Sequence, residues 1–243
     1  MILTTTTMGL LTIYLARHGQ DEDNAAGLLN GRRDMPLTAL GRTQAQHLAD
    51  QIVEASPTLS PFDAIYSSPL QRAYSTAEVI TKTINGRCSS SSSSTTVSLT
   101  KLESLKERDF GIMTGTPIKE IRQRCPNPED VLQTDTVTYF LQPDGAETFP
   151  QLKDRAASVI QYLEERHGGS KDSSILLVTH GDFGKMLYAQ YYELDWKDVL
   201  SHFHFGNSEL IVCSPTIKFE SNSKNIPPPS DQTHVVKQQQ HNA

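Results

Sequence analysis

The sequence predicts one α/β domain, with a mostly parallel central sheet flanked by helices. Three observations carry this reading. Short, nearly uncharged apolar runs recur along the chain and end at a glycine or a turn, as strands buried on both faces do. Between them lie segments whose apolar residues return every three or four positions, the period of a helix with one face on a core. The two kinds alternate, so helical crossovers join the strands, as parallel neighbours require. At 243 residues the chain is long enough to bury one sizeable core.

The elements follow in order. The first strand is "LLTIYLA" (10–16), delivering Arg17-His18-Gly19 at its end. "PLTALGRTQAQHLADQIVEA" then places Ala45, Leu48, Ala49, Ile52 and Val53 on one helical face. "FDAIYSS" is a second short strand, and Ser68-Pro69 is the expected N-cap and first turn of a helix carrying Ala73, Ala77, Ile80 and Ile84. "CSSSSSSTT" (88–96) has nothing to pack and is expected to be a flexible surface loop inside the domain. "VSLTKL" reads as a third strand. "TFPQLKDRAASVIQYLEERHGG" opens with a Thr-x-x-Gln capping box at Thr148 and Gln151, carries Leu152, Ala156, Val159, Ile160 and Leu163, and stops at Gly168-Gly169. "SILLVTHG" is another buried strand feeding a helix, and "SELIVC" is the last strand. Periodicity is lost from about residue 221. The expected organisation is therefore a flexible N-terminus at 1–9, the domain at 10–220 and a disordered tail at 221–243.

Composition narrows the function. The chain is 37% hydrophobic and 21% charged, with 22 basic against 28 acidic residues and a formal net charge of −6. That balance speaks against binding nucleic acid through bulk charge, so any anion site must be a local cluster of basic groups. Cys88, Cys125 and Cys213 are odd in number and far apart, which argues against a disulfide framework or a structural zinc site and fits a reducing compartment. The N-terminus has no basic region before its short apolar run, and no segment is long enough for a membrane span; a cytoplasmic protein is expected.

In open α/β sheets ligands gather at the carboxyl ends of the strands. Four strand ends carry unusual cargo here: Arg17-His18-Gly19, "SSPLQRAYSTAE" with Arg72, "LKERDFG" with Glu107 and Arg108, and Thr179-His180-Gly181. One histidine after a strand means little, but two strand-end His-Gly pairs beside arginines describe a site for an anion. The chain then writes Asp21, Glu22 and Asp23 straight after the first pair. The plain reading of "QDED" is a solvated loop end. "HFHF" (202–205) is read as packing rather than a metal site, because no acidic or cysteine partner lies at ligand spacing.

"ARHGQDEDN", "NGRRDMPLTALGRTQA", "SSPLQRAYSTAE", "LKERDFGIMTG", "PDGAETF" and "VTHGD" resemble, in order and spacing, the motifs of the histidine phosphatase superfamily, the phosphoglycerate-mutase-like group with an Arg-His-Gly signature. The likeness spans roughly residues 10 to 215. It implies that His18 is a nucleophile attacking phosphorus to give a phosphohistidine. Arg17 and Arg72 would grip the phosphoryl oxygens, with His180 a further donor. Glu107 would protonate the leaving oxygen and later deprotonate the attacking water. Asn24, Gly19 and Gly181 fall among the phosphate-binding positions. The chain departs from the family at Gln20, often Glu, and at Asp21, usually Ser or Thr. If Asp21 faces the cleft it would oppose a second anionic group on the substrate, which Arg32 and Arg33 in the next loop would offset.

The implied activity is hydrolysis of small phosphorylated metabolites, such as sugar phosphates, with no metal and no cofactor. The expected partner is the phosphorylated substrate alone, with neither nucleic acid nor membrane; the sequence does not speak to oligomeric state. Two alternatives share these residues. One is a phosphoglycerate mutase, disfavoured because only about 40 residues separate Glu107 from "GAETF", without a long insert carrying an extra arginine pair. The other is a weakly active interaction module of the same fold, disfavoured because no matched catalytic position is lost.

Overall fold

The computed structural model describes residues 9–55, 62–88 and 96–215. Nearly all of the expected N-terminal extension and Ser-rich loop, and the whole expected tail, lie outside the described residues. In chain order the elements are β1 (Leu11–Arg17), α1 (Glu22–Ala26), α2 (Ala39–Ala55), β2 (Ala64–Ser67), α3 (Gln71–Cys88), β3 (Leu99–Lys101), α4 (Ile121–Arg124), β4 (Val131–Gln133), β5 (Thr138–Phe140), α5 (Phe149–His167), β6 (Ser173–Thr179), α6 (Gly181–Tyr191), α7 (Trp196–His202) and β7 (Leu210–Cys213). The central sheet has the order β3-β2-β6-β1-β7. Its first four strands are mutually parallel, and β7 runs antiparallel to β1.

Alternation along the strands divides the apolar runs between two cores. In β6, Ile175 and Leu177 face a core with Ile13 and Leu15 of β1, Leu152 of α5, Phe183 and Leu187 of α6 and Val199 of α7. Leu176 and Val178 face the other, with Leu48 and Ile52 of α2 and Ala73, Ala77 and Ile80 of α3. A continuous "ILLV" is what a central strand with helices on both faces demands. The capping box at Thr148 and Gln151 forms as the sequence predicts.

Two findings were not expected from the sequence. Ser68 does not cap α3: the helix begins at Gln71, whose N–H donates to Asp34 Oδ1 at 2.6 Å from a separate loop. Between β3 and α5 the chain makes short 3₁₀ turns, α4 and the antiparallel pair β4–β5, around a small core of Phe110, Met113, Ile121, Cys125, Val131 and Phe140.

The antiparallel direction of β7 positions the site. Leu210 pairs with Ala16 at the carboxyl end of β1, so β7 starts there, and the loop before it crosses the end of the strand that carries Arg17 and His18.

Candidate active site

At the end of β1, Gly19 is required by close approach. A Cβ there would lie 2.3 Å from the Gly41 carbonyl oxygen of α2, and one on Gly41 would lie 2.0 Å from that of Gln20. Backbone therefore packs on backbone, and His18 is turned into the interior with 2% of its surface exposed. Its Nδ1 lies 2.7 Å from the Gly19 carbonyl oxygen, so Nδ1 carries the proton and Nε2 keeps its lone pair. That lone pair accepts from Arg72 Nε at 3.2 Å. Gly19 donates its own N–H to Thr76 Oγ1 at 3.1 Å, one turn beyond Arg72 on α3. Gly19 thus shapes the turn, and its N–H is spent on Thr76 rather than held for a phosphate.

The four strand ends do converge. The ring of His180, at the end of β6, stands 5.1 Å from that of His18, with 60° between their planes, and its Nε2 meets Ser68 Oγ at 2.8 Å. Ser68, expected as a helix cap, is instead a histidine partner; its Oγ also accepts from the Leu70 N–H at 3.3 Å. Arg17 extends past Gly181 and donates through an Nη to the Phe205 carbonyl at 2.7 Å. A Cβ on Gly181 would sit 3.4 Å from the Arg17 guanidinium carbon, an ordinary contact. Arg72 is fully buried; its two Nη atoms donate to the carbonyls of Arg33 and Gly31 at 2.6 and 2.7 Å.

Glu107 lies at the N-terminus of α6. Its carboxylate accepts from the backbone N–H groups of Arg108 (2.8 Å), Phe183 (3.1 Å) and Asp182 (3.2 Å). Glu147 of "GAETF" pairs with Arg155 through two 2.8 Å bonds, while Arg155 also donates to the carbonyls of Ser104, Lys106 and Glu107. That staple fixes the segment bearing Glu107, and the sequence reading assigned neither residue a part. Arg108, beside Glu107, pairs with Asp182 at 2.9 Å and stacks over Phe110, Phe140 and Phe149.

The acidic run is the main correction. Only Glu22 is exposed; Asp21 and Asp23 show 0% and 2% of their surface. Asp21 caps α1 by accepting from the Asn24 N–H at 2.7 Å, takes a bond from Asn30 Nδ2 at 2.7 Å, and pairs with Arg72 Nε at 3.1 Å. Asp23 pairs with Arg33 at 3.0 Å. These carboxylates are counter-ions of the arginines beside them, and Asp21, with no open surface, does not face the cleft. Asn24 is half-buried, its Oδ1 accepting from Asn207 Nδ2 at 3.2 Å. Arg32, 43% exposed, is engaged by Asp109 at 3.1 Å and Glu147 at 3.5 Å rather than free on the rim.

Burial sets the protonation states. It drives the pKa of His18 well below the usual histidine value, helped by the charges of Arg72 and then Arg17. His180 is driven down in the same way, by burial first and Arg72 next. Burial raises Glu107, and the neighbouring Asp182 charge adds to this. The arrangement therefore holds an unprotonated imidazole, buried guanidinium groups and a carboxyl group inclined to keep a proton. Such a set can accept a phosphoryl group on nitrogen while a proton is given to the leaving group. Among the described residues, no group of three or more His, Cys, Asp or Glu side chains is arranged to hold a metal ion, and no helix is long and apolar enough to cross a membrane. Cys125 and Cys213 are buried free thiols.

Known proteins resemble this chain in sequence and in fold. The chain is 30% identical over 176 residues to a metal-independent phosphoserine phosphatase of Arabidopsis thaliana, covering 72% of this chain and 66% of that one. It is 29% identical over 192 residues to a 2,3-bisphosphoglycerate-dependent phosphoglycerate mutase of Rhizobium etli, covering 78% and 84%. The solved structure of YhfR from Bacillus stearothermophilus superposes with a TM-score of 0.64 at 25% identity, covering 93% and 95%. The family model described as histidine phosphatase superfamily (branch 1) matches residues 13–219, a span that carries every site residue above, and the chain belongs to that superfamily.

Proposed function

We propose that this protein is a metal-independent phosphatase of small phosphorylated metabolites, acting through a phosphohistidine on His18. The observation that carries it is the 2.7 Å contact of His18 Nδ1 with the Gly19 carbonyl oxygen: an oxygen that can only accept assigns the proton to Nδ1 and leaves Nε2 of a buried, neutral imidazole as the nucleophilic atom, beside Arg72. In the first step a bond forms between His18 Nε2 and phosphorus while the ester oxygen leaves with the proton of Glu107. In the second, Glu107 takes a proton from water, the oxygen attacks phosphorus, and the nitrogen–phosphorus bond breaks to release phosphate. Arg17 and Arg72 neutralise charge on the equatorial oxygens, and the neutral His180 supplies a hydrogen-bond donor beside them. The similarity to a phosphoserine phosphatase supports a hydrolase.

The competing mutase uses the same residues and is named among the relatives. The segment before "GAETF" supports hydrolysis: its Arg122 and Arg124, on α4, are bound to Gln133 at 3.3 Å and Glu120 at 3.2 Å. The deciding experiment is labelling with a phosphorylated substrate in excess EDTA. Acid-labile, alkali-stable label is expected on the parent and none on His18→Ala. Label retained by the variant, or activity lost to EDTA and restored by Mg²⁺ or Zn²⁺, refutes the mechanism.

A further inference from the structure

Asparagine side chains present two nearly isosteric ends, an acceptor and a donor, and the neighbouring hydrogen bond decides which end faces where. Asn24 is such a case. Its Oδ1 is taken by Asn207 Nδ2 at 3.2 Å, so its other end is the NH₂ donor. The same Asn207 Nδ2 donates its other hydrogen to the His18 carbonyl at 2.9 Å. Next to it Ser208, in the left-handed region at φ 54°, donates its N–H towards the carbonyls of Arg17 (3.1 Å) and His18 (3.3 Å). The loop is closed by Glu209, whose carbonyl accepts from the Arg17 N–H at 3.1 Å and whose carboxylate accepts from the Gly206 N–H at 2.6 Å. One side chain, brought to this place by the antiparallel entry of β7, therefore holds both the nucleophile's own peptide and the amide beside it.

We infer that Asn207 is a positioning residue for phosphate recognition: held by its bond to the His18 carbonyl, it fixes the Asn24 amide with its donor end towards the phosphoryl oxygens. With Asn24 turned over, two NH₂ groups would confront each other, and a carbonyl oxygen would face the phosphate. This inference rests on the phosphatase reading above.

The test is a double-mutant cycle of Asn24→Ala and Asn207→Ala, read as kcat/KM on p-nitrophenyl phosphate and as inhibition by vanadate. Asn207→Ala is expected to lower kcat/KM about tenfold, the scale of one lost bond to a charged group, and to weaken vanadate inhibition by a similar factor. The double variant is expected to fall no more than about twofold below Asn24→Ala, because Asn207 acts largely through that side chain. Asn207→Asp, similar in shape, would draw the Asn24 NH₂ to itself and is expected to lose more than Asn207→Ala. Losses that multiply in the double variant, or an Asn207→Asp enzyme as active as Asn207→Ala, overturn the inference while leaving an active parent and the phosphatase reading intact. A parent that neither hydrolyses the ester nor binds vanadate overturns that reading and this inference with it.

Discussion

The Asp21–Arg72 pair provides the sharpest test of how the site is held together. Both side chains have no exposed surface, and Asp21 Oδ2 lies 3.1 Å from Arg72 Nε. Replacing Asp21 by serine keeps an N-cap oxygen for the Asn24 N–H but removes the counter-charge. Breaking one side of a buried pair costs about 3–5 kcal/mol. Arg72 would keep the carbonyls of Gly31 and Arg33, which places the expected loss near the lower end, at about 3 kcal/mol. For a domain of this size that lowers Tm by roughly 6–12 °C. Phosphate reverses the order. The parent must bring a dianion up to a buried carboxylate, whereas the variant offers an unpaired guanidinium, so the variant should bind inorganic phosphate about tenfold more tightly, or about 1.4 kcal/mol. Thermal unfolding with and without saturating phosphate reads both effects: the gap in Tm should narrow by roughly 3–6 °C when phosphate is added. Because Asp21 is sealed from the cleft, the gain should be equal for mono- and bisphosphorylated ligands, not greater for the latter as a cleft-facing carboxylate would give. Equal phosphate affinity in parent and variant, or a Tm gap that phosphate leaves unchanged, would refute the exchange of counter-ions.

Two further outcomes follow from the same geometry. The kcat/KM profile, corrected for the substrate's own second ionisation, should fall on the acid side only well below the ordinary histidine value, since protonation of His18 removes the nucleophile and its pKa is depressed. It should fall on the alkaline side through the raised pKa of Glu107, whose proton the leaving group needs, and Glu107→Gln should abolish that limb; a profile governed by an unshifted histidine would contradict the burial argument. With 3-phosphoglycerate and 2,3-bisphosphoglycerate together, phosphate release should exceed formation of 2-phosphoglycerate, and the reverse order would assign the protein to the mutases.

Much of this was legible in the sequence because it is local. The alternation of buried strands and amphipathic helices gives the sheet and its two cores, and the capping box at Thr148 and Gln151 lies within a single turn. Strand-end placement brings His18, Arg72, Glu107 and His180 to one edge. What was not legible depends on partners far along the chain. The cap on the first N–H of α3 comes from Asp34, not from the nearby Ser68. Elements of three or four residues between β3 and α5 are too short to show a period, and the bidentate Glu147–Arg155 pair helps to hold the segment that carries Glu107. "QDED" reads as hydrated because nothing near it announces Arg72, which enters from α3. Asn207 was assigned no part by the sequence, because it sits in a turn before β7 and its partners, Asn24 and the His18 carbonyl, lie far back along the chain.

The proposed anion site, in a chain of net charge −6, has to be stable before a ligand binds as well as after. Arginines buried without partners would destabilise the fold, yet arginines fully satisfied would have nothing left for a ligand. The structure divides the task. Arg72 is provided for by Asp21 and two carbonyls, so it is secure before any phosphate arrives. Arg17 is provided for only in part: one Nη reaches the Phe205 carbonyl, while its Nε is buried with no hydrogen-bond partner. His180 is likewise tied at Nε2 to Ser68, with its buried Nδ1 unpaired. Unpaired buried polar atoms are uncommon, and these two belong to residues meeting at the carboxyl edge. A phosphoryl group rich in acceptor oxygens could satisfy the open donor on Arg17. Of the carboxylates that follow Arg17-His18-Gly19, Asp21 thus belongs to the proposed anion site: it holds Arg72 ready so that Arg17 need not be saturated.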